Sequence, residues 1–485
     1  MCVSTPMMRA SRISNVNYAE FPDRWLAAVV MIGAATMDLI DLTVVNVALP
    51  TIKRDLGASG AQLEWTISAY MLGLAAALIA AGSFGDRLGR KRVFVGGIAL
   101  FGAASLAAGL AQTPGELIGA RAVQGVAAAA MIPQLLGTFR AMFSGDERGK
   151  AFGLYGALLG FASAIGLVLG GVLTQADLFG WGWRTVFFIN VPIALVSLVA
   201  TIVVVPETYD PDAGRPDFVG AVLLAAAIVA VAYPLLEGRS LGWPAWNWLL
   251  LAGGVLGLVA LGFVEERRQH SHVVPLLRTR LLRIPAFAAG LAAQVAFSAA
   301  LQGFFLVFAV WIQLGMGFSP IAAGLTALAF SVGSFMLAPM AVPLAQRFGR
   351  SVLALGGVLM ALGTWGVVLG AGHVGHGSNP WPVVPGLVVQ GVGLSLLIIP
   401  LVNVALAAVP REVAGGAGGI FSTAQHVGGA IGVAVVGTVF FSRLGNHSFT
   451  ASFKDSGPLI IALFLFAALL TLALPRTAVV DDEAL

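Results

Sequence analysis

Charge is what this sequence lacks: only 10% of its 485 residues are Asp, Glu, Lys or Arg, while 58% are hydrophobic. A soluble domain carries about 25% charged and about 45–50% apolar residues, so a globule surrounded by water is excluded. Cysteine is almost missing too. The single one, Cys2, rules out an internal disulfide and any cysteine-based zinc or iron–sulfur centre. No Ser/His/Asp or metal-ligand constellation forms, and His373 and His376 stand in a short segment with Gly and Ser rather than with acids. A phosphate-binding loop is also wanting, because "GDERGKA" (Gly145 to Ala151) lacks both the spacing and the hydroxyl after the lysine. Neither an enzyme, a nucleotide-driven pump nor a bound cofactor or metal is therefore expected. The net charge of +4 comes from bases that flank apolar runs rather than forming a patch beside aromatics, so no nucleic-acid partner is expected.

What fills the chain instead is a series of apolar runs of roughly twenty residues, each long enough to cross a bilayer core of about 30 Å as a helix. Lipid tolerates no unpaired backbone, so the fold class expected is an all-α multi-pass membrane protein. The runs are 25–49, 62–82, 93–111, 115–139, 150–174, 185–205, 217–236, 246–264, 285–312, 319–343, 352–370, 381–408, 414–441 and 457–475, fourteen transmembrane helices. The first ends in "NVALPTIKRD" without a small-residue cleavage site and reads as a retained span, not a signal peptide. With both termini cytoplasmic, twenty Lys and Arg fall inside, six outside, and Arg121 alone within a span. That asymmetry satisfies the positive-inside rule, and an odd number of spans spoils it.

The chain also repeats itself. "GSFGDRLGRKR" (Gly82 to Arg92), read as a cytoplasmic loop between the second and third spans, is echoed about 260 residues later by "VPLAQRFGR" (Val342 to Arg350). "VQGVAAAAMIP" (Val123 to Pro133) is matched by "VQGVGLSLLIIP" (Val389 to Pro400). A repeat that keeps the same loop on the same side implies two parallel six-helix bundles, as in some secondary transporters. The expected organisation is a cytoplasmic segment 1–24, an N-terminal six-helix bundle 25–206 and an inserted two-helix hairpin 207–264. A cytoplasmic linker 265–284, a C-terminal six-helix bundle 285–475 and a tail 476–485 follow.

These residues resemble the major facilitator superfamily, and within it the fourteen-helix branch of drug:proton antiporters. Gly82 to Arg92 is similar to the superfamily's loop signature, departing at Phe84 and Gly85, and "LIDLTVVNVALP" (Leu39 to Pro50) resembles the first-helix signature of the branch. "RAVQGVAAAA" (Arg121 to Ala130) is similar to the fourth-helix signature with its buried arginine, and "WRTVFFINVP" (Trp183 to Pro192) to the start of the sixth helix. One departure stands in the fifth helix, where "AIGLVLGG" places Leu167 at the position of the antiporter proline. The resemblance implies proton-coupled efflux of an amphipathic organic compound, cationic ones included, by alternating access. The lipid partner is a bacterial cytoplasmic membrane, the energy source a proton gradient, and the unit a monomer. The alternative is a facilitator of another coupling mode that imports a metabolite or nutrient.

Asp38 and Asp41 share a face of the first helix. Asp41 lies nine residues before Pro50, about 14 Å below the outer end, and Arg121 lies about 9 Å deep in the fourth span, near enough to meet. Such charges normally face a cavity or a partner. The expectation is that Asp41 and Asp38, in a water-reachable hollow, exchange a proton while Arg121 biases the equilibrium; a fixed salt bridge is the competing reading. The resemblance implies the same role for Asp41 and Arg121. For Gly82, Asp86, Arg87, Gly89 and Arg90 it implies a cytoplasmic latch that holds the two halves closed. Candidate cavity residues are Asn46, Gln124, Gln294, Gln302, Gln390, Asn403, Gln425 and His426, although the repetition of Gln124 at Gln390 argues also for helix packing. Glu64 and Glu116 read as exposed caps at outer helix ends.

Overall fold

The computed structural model describes residues 21–209, 217–268, 279–407, 409 and 414–475. Segment 1–20, most of the linker at 269–278 and the tail 476–485 lie outside the described residues. The helices joined by short turns are α1 Arg24–Leu56, α2 Gly60–Leu88, α3 Arg90–Leu110, α4 Pro114–Met142 and α5 Gly145–Ala176. α6 spans Gly182–Val204, opening with a 3-10 turn. Then come α7 Phe218–Glu237, α8 Ala245–Arg268 and α9 Pro285–Val310, which runs on into a π turn at Trp311–Gly315. α10 Pro320–Phe348, α11 Arg350–Gly370, α12 Val384–Ala407, α13 Ala414–Leu444 and α14 Phe449–Thr471 complete the set. Thirteen of these are long and apolar enough to cross a membrane; α5 has the length, 32 residues, with its described apolar stretch confined to Ala164–Ala176.

Several helices outrun their apolar stretches. α1 passes through Pro50 and stops only at Gly57, which adopts a left-handed φ of 64°, and Lys53 and Arg54 sit in its last turn, where the helix dipole favours cations. α14 starts eight residues before the expected span because Ser448 caps the Ala451 N–H and the polar stretch Phe449 to Ser456 continues the helix. The hinge differs most. Gly82 to Leu88 is not a loop but the end of α2, and the chain reverses at Gly89 alone, with φ 108°, before α3 begins at Arg90. The second half copies this device, with α10 ending at Phe348, φ 62° at Gly349 and α11 starting at Arg350. A side chain at either glycine is strained whatever the space around it.

The "VQGV" repeat has an equally local cause. A Cβ on Gly125 of α4 would lie 2.0 Å from the Tyr70 carbonyl oxygen of α2, and one on Gly391 of α12 would lie 1.9 Å from the Phe330 carbonyl oxygen of α10. Only glycine lets these backbones touch, so each half is built around one such pair, α2 with α4 and α10 with α12. The halves meet along two seams. α5 lies against α10, where Gly324 touches the Leu167 carbonyl. α2 lies against α13, from Gly60 against Phe441 through Gly429 against Met71 to Gly419, where a Cβ would lie 3.9 Å from Ile79. Of the inserted pair, α7 packs on both α2 and α13, and α8 packs on α7.

Candidate functional site

α1 turns both of its acids inward. Asp38 and Asp41 are buried at 6% and 1% exposure, and Arg121, reaching in from α4, is exposed by 1%. Arg121 Nη1 donates to Asp41 Oδ2 and, at 2.8 Å, to Gln124 Oε1, while its Nε donates to the Thr66 carbonyl of α2 at 3.2 Å. The other Asp41 oxygen accepts from Gln124 Nε2 at 3.1 Å and from Asn190 Nδ2 of α6 at 2.9 Å. Gln124 also donates to Ser105 of α3 at 2.6 Å. The Tyr70 hydroxyl of α2 donates to Asp38, and the Arg121 guanidinium lies 4.2 Å from the centre of the Tyr70 ring. Polar groups from α1, α2, α3, α4 and α6 thus converge at one depth inside the N-terminal half. A buried charge is tolerated on these terms, with an opposite charge beside it and donors on its remaining lone pairs.

The geometry brings Asp41, Arg121 and Gln124 together and places Asp38 beside them through Tyr70. The surroundings differ from the water-reachable hollow expected, because the carboxylates are sealed within the bundle. Nearby Asn46, on the same helix, donates to its own Leu42 carbonyl at 2.9 Å and lines a gap of only about 10 Å³ against Leu167, Phe305 and Gln313. Gln390 donates to Thr364 of α11 at 3.0 Å, deep in the C-terminal half, and so packs helices. Gln294 donates to Ser298 one turn on, and Gln302 is half-buried against Gly429. His426 is buried, whereas Asn403 and Gln425 are exposed. These last residues do not gather into one cluster with the Asp41 network.

At the hinge around Gly89, Asp86 accepts from Arg90 Nε at 2.9 Å and Nη2 at 2.7 Å. Arg90 also donates its backbone N–H to the Thr208 carbonyl at 2.8 Å, and its side chain lies over Gly137 of α4. Gly85 leaves room for Gln134, whose Nε2 donates to the Ala81 carbonyl at 2.8 Å. Glu207, just beyond α6, accepts the Lys91 N–H at 3.0 Å and pairs with Arg92 at 3.6 Å. Burial pushes the Glu207 carboxyl above its ordinary value, and the Lys91 N–H and Arg92 oppose that. Arg87 is exposed. Among the described residues, these bonds of the hinge tie α2, α3, α4 and the end of α6 together; residues 410–413, which lead into α13, lie outside the described residues.

Four participants escaped sequence reading. Asn190 lies inside the quoted sixth-helix motif, Tyr70 passes for an apolar residue, Ser105 for a small one, and Glu207 follows a span without marking it. Glu64 requires a correction. It is not an exposed cap but buried at 2% exposure against Gly437 of α13, because α2 joins the seam between the halves at its N-terminal end. Glu116, by contrast, is exposed and accepts the Gln112 N–H at 2.8 Å.

A bundle of apolar helices in two repeated halves, with a charged network sealed inside one of them, defines a multi-pass membrane transporter and not an enzyme. The chain matches the Major Facilitator Superfamily over residues 31–326 and 286–484, and it belongs to that superfamily. It is 40% identical over 436 residues to a probable actinorhodin transporter of Streptomyces coelicolor, covering 89% of this chain and 75% of that one. It is 35% identical to a puromycin resistance protein of Streptomyces alboniger, covering 86% and 82%. A methyl viologen resistance protein of Salmonella typhimurium is 32% identical, covering 89% and 84%. Among solved structures, a peptide transporter superposes with a TM-score of 0.67 at 17% identity, covering 92% of this chain and 95% of that one. At that identity the likeness concerns the fold.

Proposed function

We propose that the protein exports an amphipathic organic compound, of natural-product or drug type, across a bacterial cytoplasmic membrane in exchange for protons. The observation that carries this reading is the buried Asp41–Arg121 pair, set in a chain whose relatives are named for resistance and export. A proton on Asp41 cancels its charge and leaves Arg121 buried without its counter-ion, which is worth about 3–5 kcal/mol of destabilisation. The bundle relieves that by moving, and the proton leaves once the pair can re-form. Asp38 is the second acid on the same face, held by Tyr70. One chain contains both halves that must rock against each other, so a monomer suffices. The test uses proteoliposomes with an imposed pH gradient and puromycin or methyl viologen as probes. Wild-type protein moves a probe only while the gradient lasts, Asp41→Glu retains movement and Asp41→Asn loses it. Movement by Asp41→Asn at the wild-type rate overturns the proposal.

A further inference from the structure

The outer end of the α2/α13 seam holds a buried acid that the Asp41 network does not use. Glu64, one turn into α2, is 2% exposed, and its Oε2 has no hydrogen-bond partner. Its Oε1 lies so close to α13 that a Cβ on Gly437 would be 2.6 Å away. One turn further along α13, Phe441 is seated against Gly60, with Lys53 Nζ 5.7 Å and the Arg239 guanidinium 5.6 Å from the centre of its ring. Arg239 follows α7 of the inserted pair, and its Nη1 is likewise without a partner. Glu237, at the end of α7, accepts the Trp65 Nε1–H at 2.9 Å and so ties α7 to α2. The charged groups that act on Glu64 are Glu237 and Arg239, from α7 and the turn after it, while Lys53 from α1 stands over the Phe441 ring. From α13 come Gly437 and Phe441, which do not titrate.

This seam joins the two halves, and any opening of the central path to the outside has to part it. When it is parted, the Glu64 carboxylate meets water. When it is shut, an ionised oxygen without a donor is sealed in, which is expensive, whereas a neutral carboxyl is accepted far more readily. We propose that Glu64 is a proton-binding site of the outer gate. It takes a proton from the outer solution while α2 and α13 are apart, and Phe441 then returns between Lys53 and Arg239. The proton goes back to the same solution when the seam reopens, so it is not one of those carried across. α7 gains a task, since it presents Arg239 to Phe441 and clamps the closed gate. The proposal needs only that the seam opens, and stands whatever the cargo and whatever Asp41 does.

The test uses the full chain with Cys2→Ser, spin labels on Arg54→Cys and Asn446→Cys, and lipid nanodiscs without substrate. In wild type the parted population measured by pulsed dipolar spectroscopy shrinks as the buffer is taken from alkaline to acid. Glu64→Gln stays shut at both ends of the range, and Glu64→Asp keeps the response. A Glu64→Gln protein that responds like wild type, or a wild type that does not respond, overturns the proposal. Difference infrared spectroscopy gives a second reading that needs no Gln variant. Acidification brings up a protonated-carboxyl band that Glu64→Asp shifts, and a band set that is unchanged by Glu64→Asp refutes the assignment.

Discussion

At the level of single residues, the Asp41 carboxylate is held by three different side chains, and they differ in how visible they are in the sequence. Asp41 and Arg121 stand out because an ion in an apolar run is costly and conspicuous, and their depths along two helices already put them within reach of each other. Asn190 is no less part of the arrangement, but an amide about two turns into a helix looks like any polar residue near a membrane surface. Only the fold shows that α6 brings it within 2.9 Å of Asp41. Tyr70 is hidden for a related reason, since its ring serves the core and its hydroxyl serves Asp38. Replacing Asn190 with Leu removes one donor from a buried charged acceptor, which costs roughly 2 kcal/mol. The expected result is a lower melting temperature in nanodiscs together with slower probe movement. Melting at the wild-type temperature shows that the bond contributes nothing to stability.

Between residues and the whole molecule, helices are positioned by where their glycines sit. Gly125 brings α4 against α2 and so sets the distance from Arg121 to Tyr70, whereas Gly119, two turns earlier on α4, has nothing within 4 Å of the place a Cβ would occupy. Gly125→Ala is overpacked against backbone that cannot swing aside and is expected to lose about 1–3 kcal/mol, with transport falling alongside. Gly119→Ala, the control on the same helix, melts as wild type does; equal melting of the two variants contradicts the packing argument. The repeat of "VQGV" was legible, but its meaning was not, since a matched Gln and a matched Gly look alike until the helices are paired. The hinge was misread for a physical reason too. Glycines at Gly82 and Gly85 signal a loop by local propensity, yet here they admit Pro133 and Gln134 of α4, and the backbone stays helical. Glu207 closes that hinge and supplies a pH prediction. Its carboxyl titrates above the ordinary value, so the folded state binds this proton more tightly than the unfolded chain does. Stability from it is full below the unfolded pKa and lost as pH rises through the folded one. Relative to Glu207→Gln, wild type is therefore expected to gain melting temperature as pH falls through the window just above the ordinary carboxylate range. A constant difference across that window refutes the assignment.

On the scale of the whole molecule, the two ends of the bundle carry different chemistry, and the positive-inside rule turns that difference into a prediction of its direction in the membrane. At one end Arg24 pairs with Glu147, and Asp86, Arg90, Arg92 and Glu207 surround Gly89. At the other, Asp55 accepts from Trp183 at 2.7 Å and Arg184 at 2.5 Å, and Lys53 and Arg239 flank Phe441. Among the described residues, Arg87, Lys91, Arg140, Arg148 and Lys150 add to the first end, and an end rich in bases is the one that an anionic inner leaflet attracts. The series of spans was legible early because it needs only apolar runs, whereas the place of α7 was not. Nothing in an apolar run of ordinary composition shows that it lies across the seam between the halves. The orientation can be checked directly, since the chain has one cysteine and Cys2→Ser leaves none. Arg54 is exposed at the end of α1, and the Arg92 side chain is 80% exposed at the hinge. In intact cells a membrane-impermeant maleimide is expected to label Arg54→Cys and to spare Arg92→Cys, and in inverted vesicles the pattern reverses. Labelling of Arg92→Cys from outside places the hinge, Glu207 and the whole basic end on the wrong side, and with them the direction in which cargo leaves.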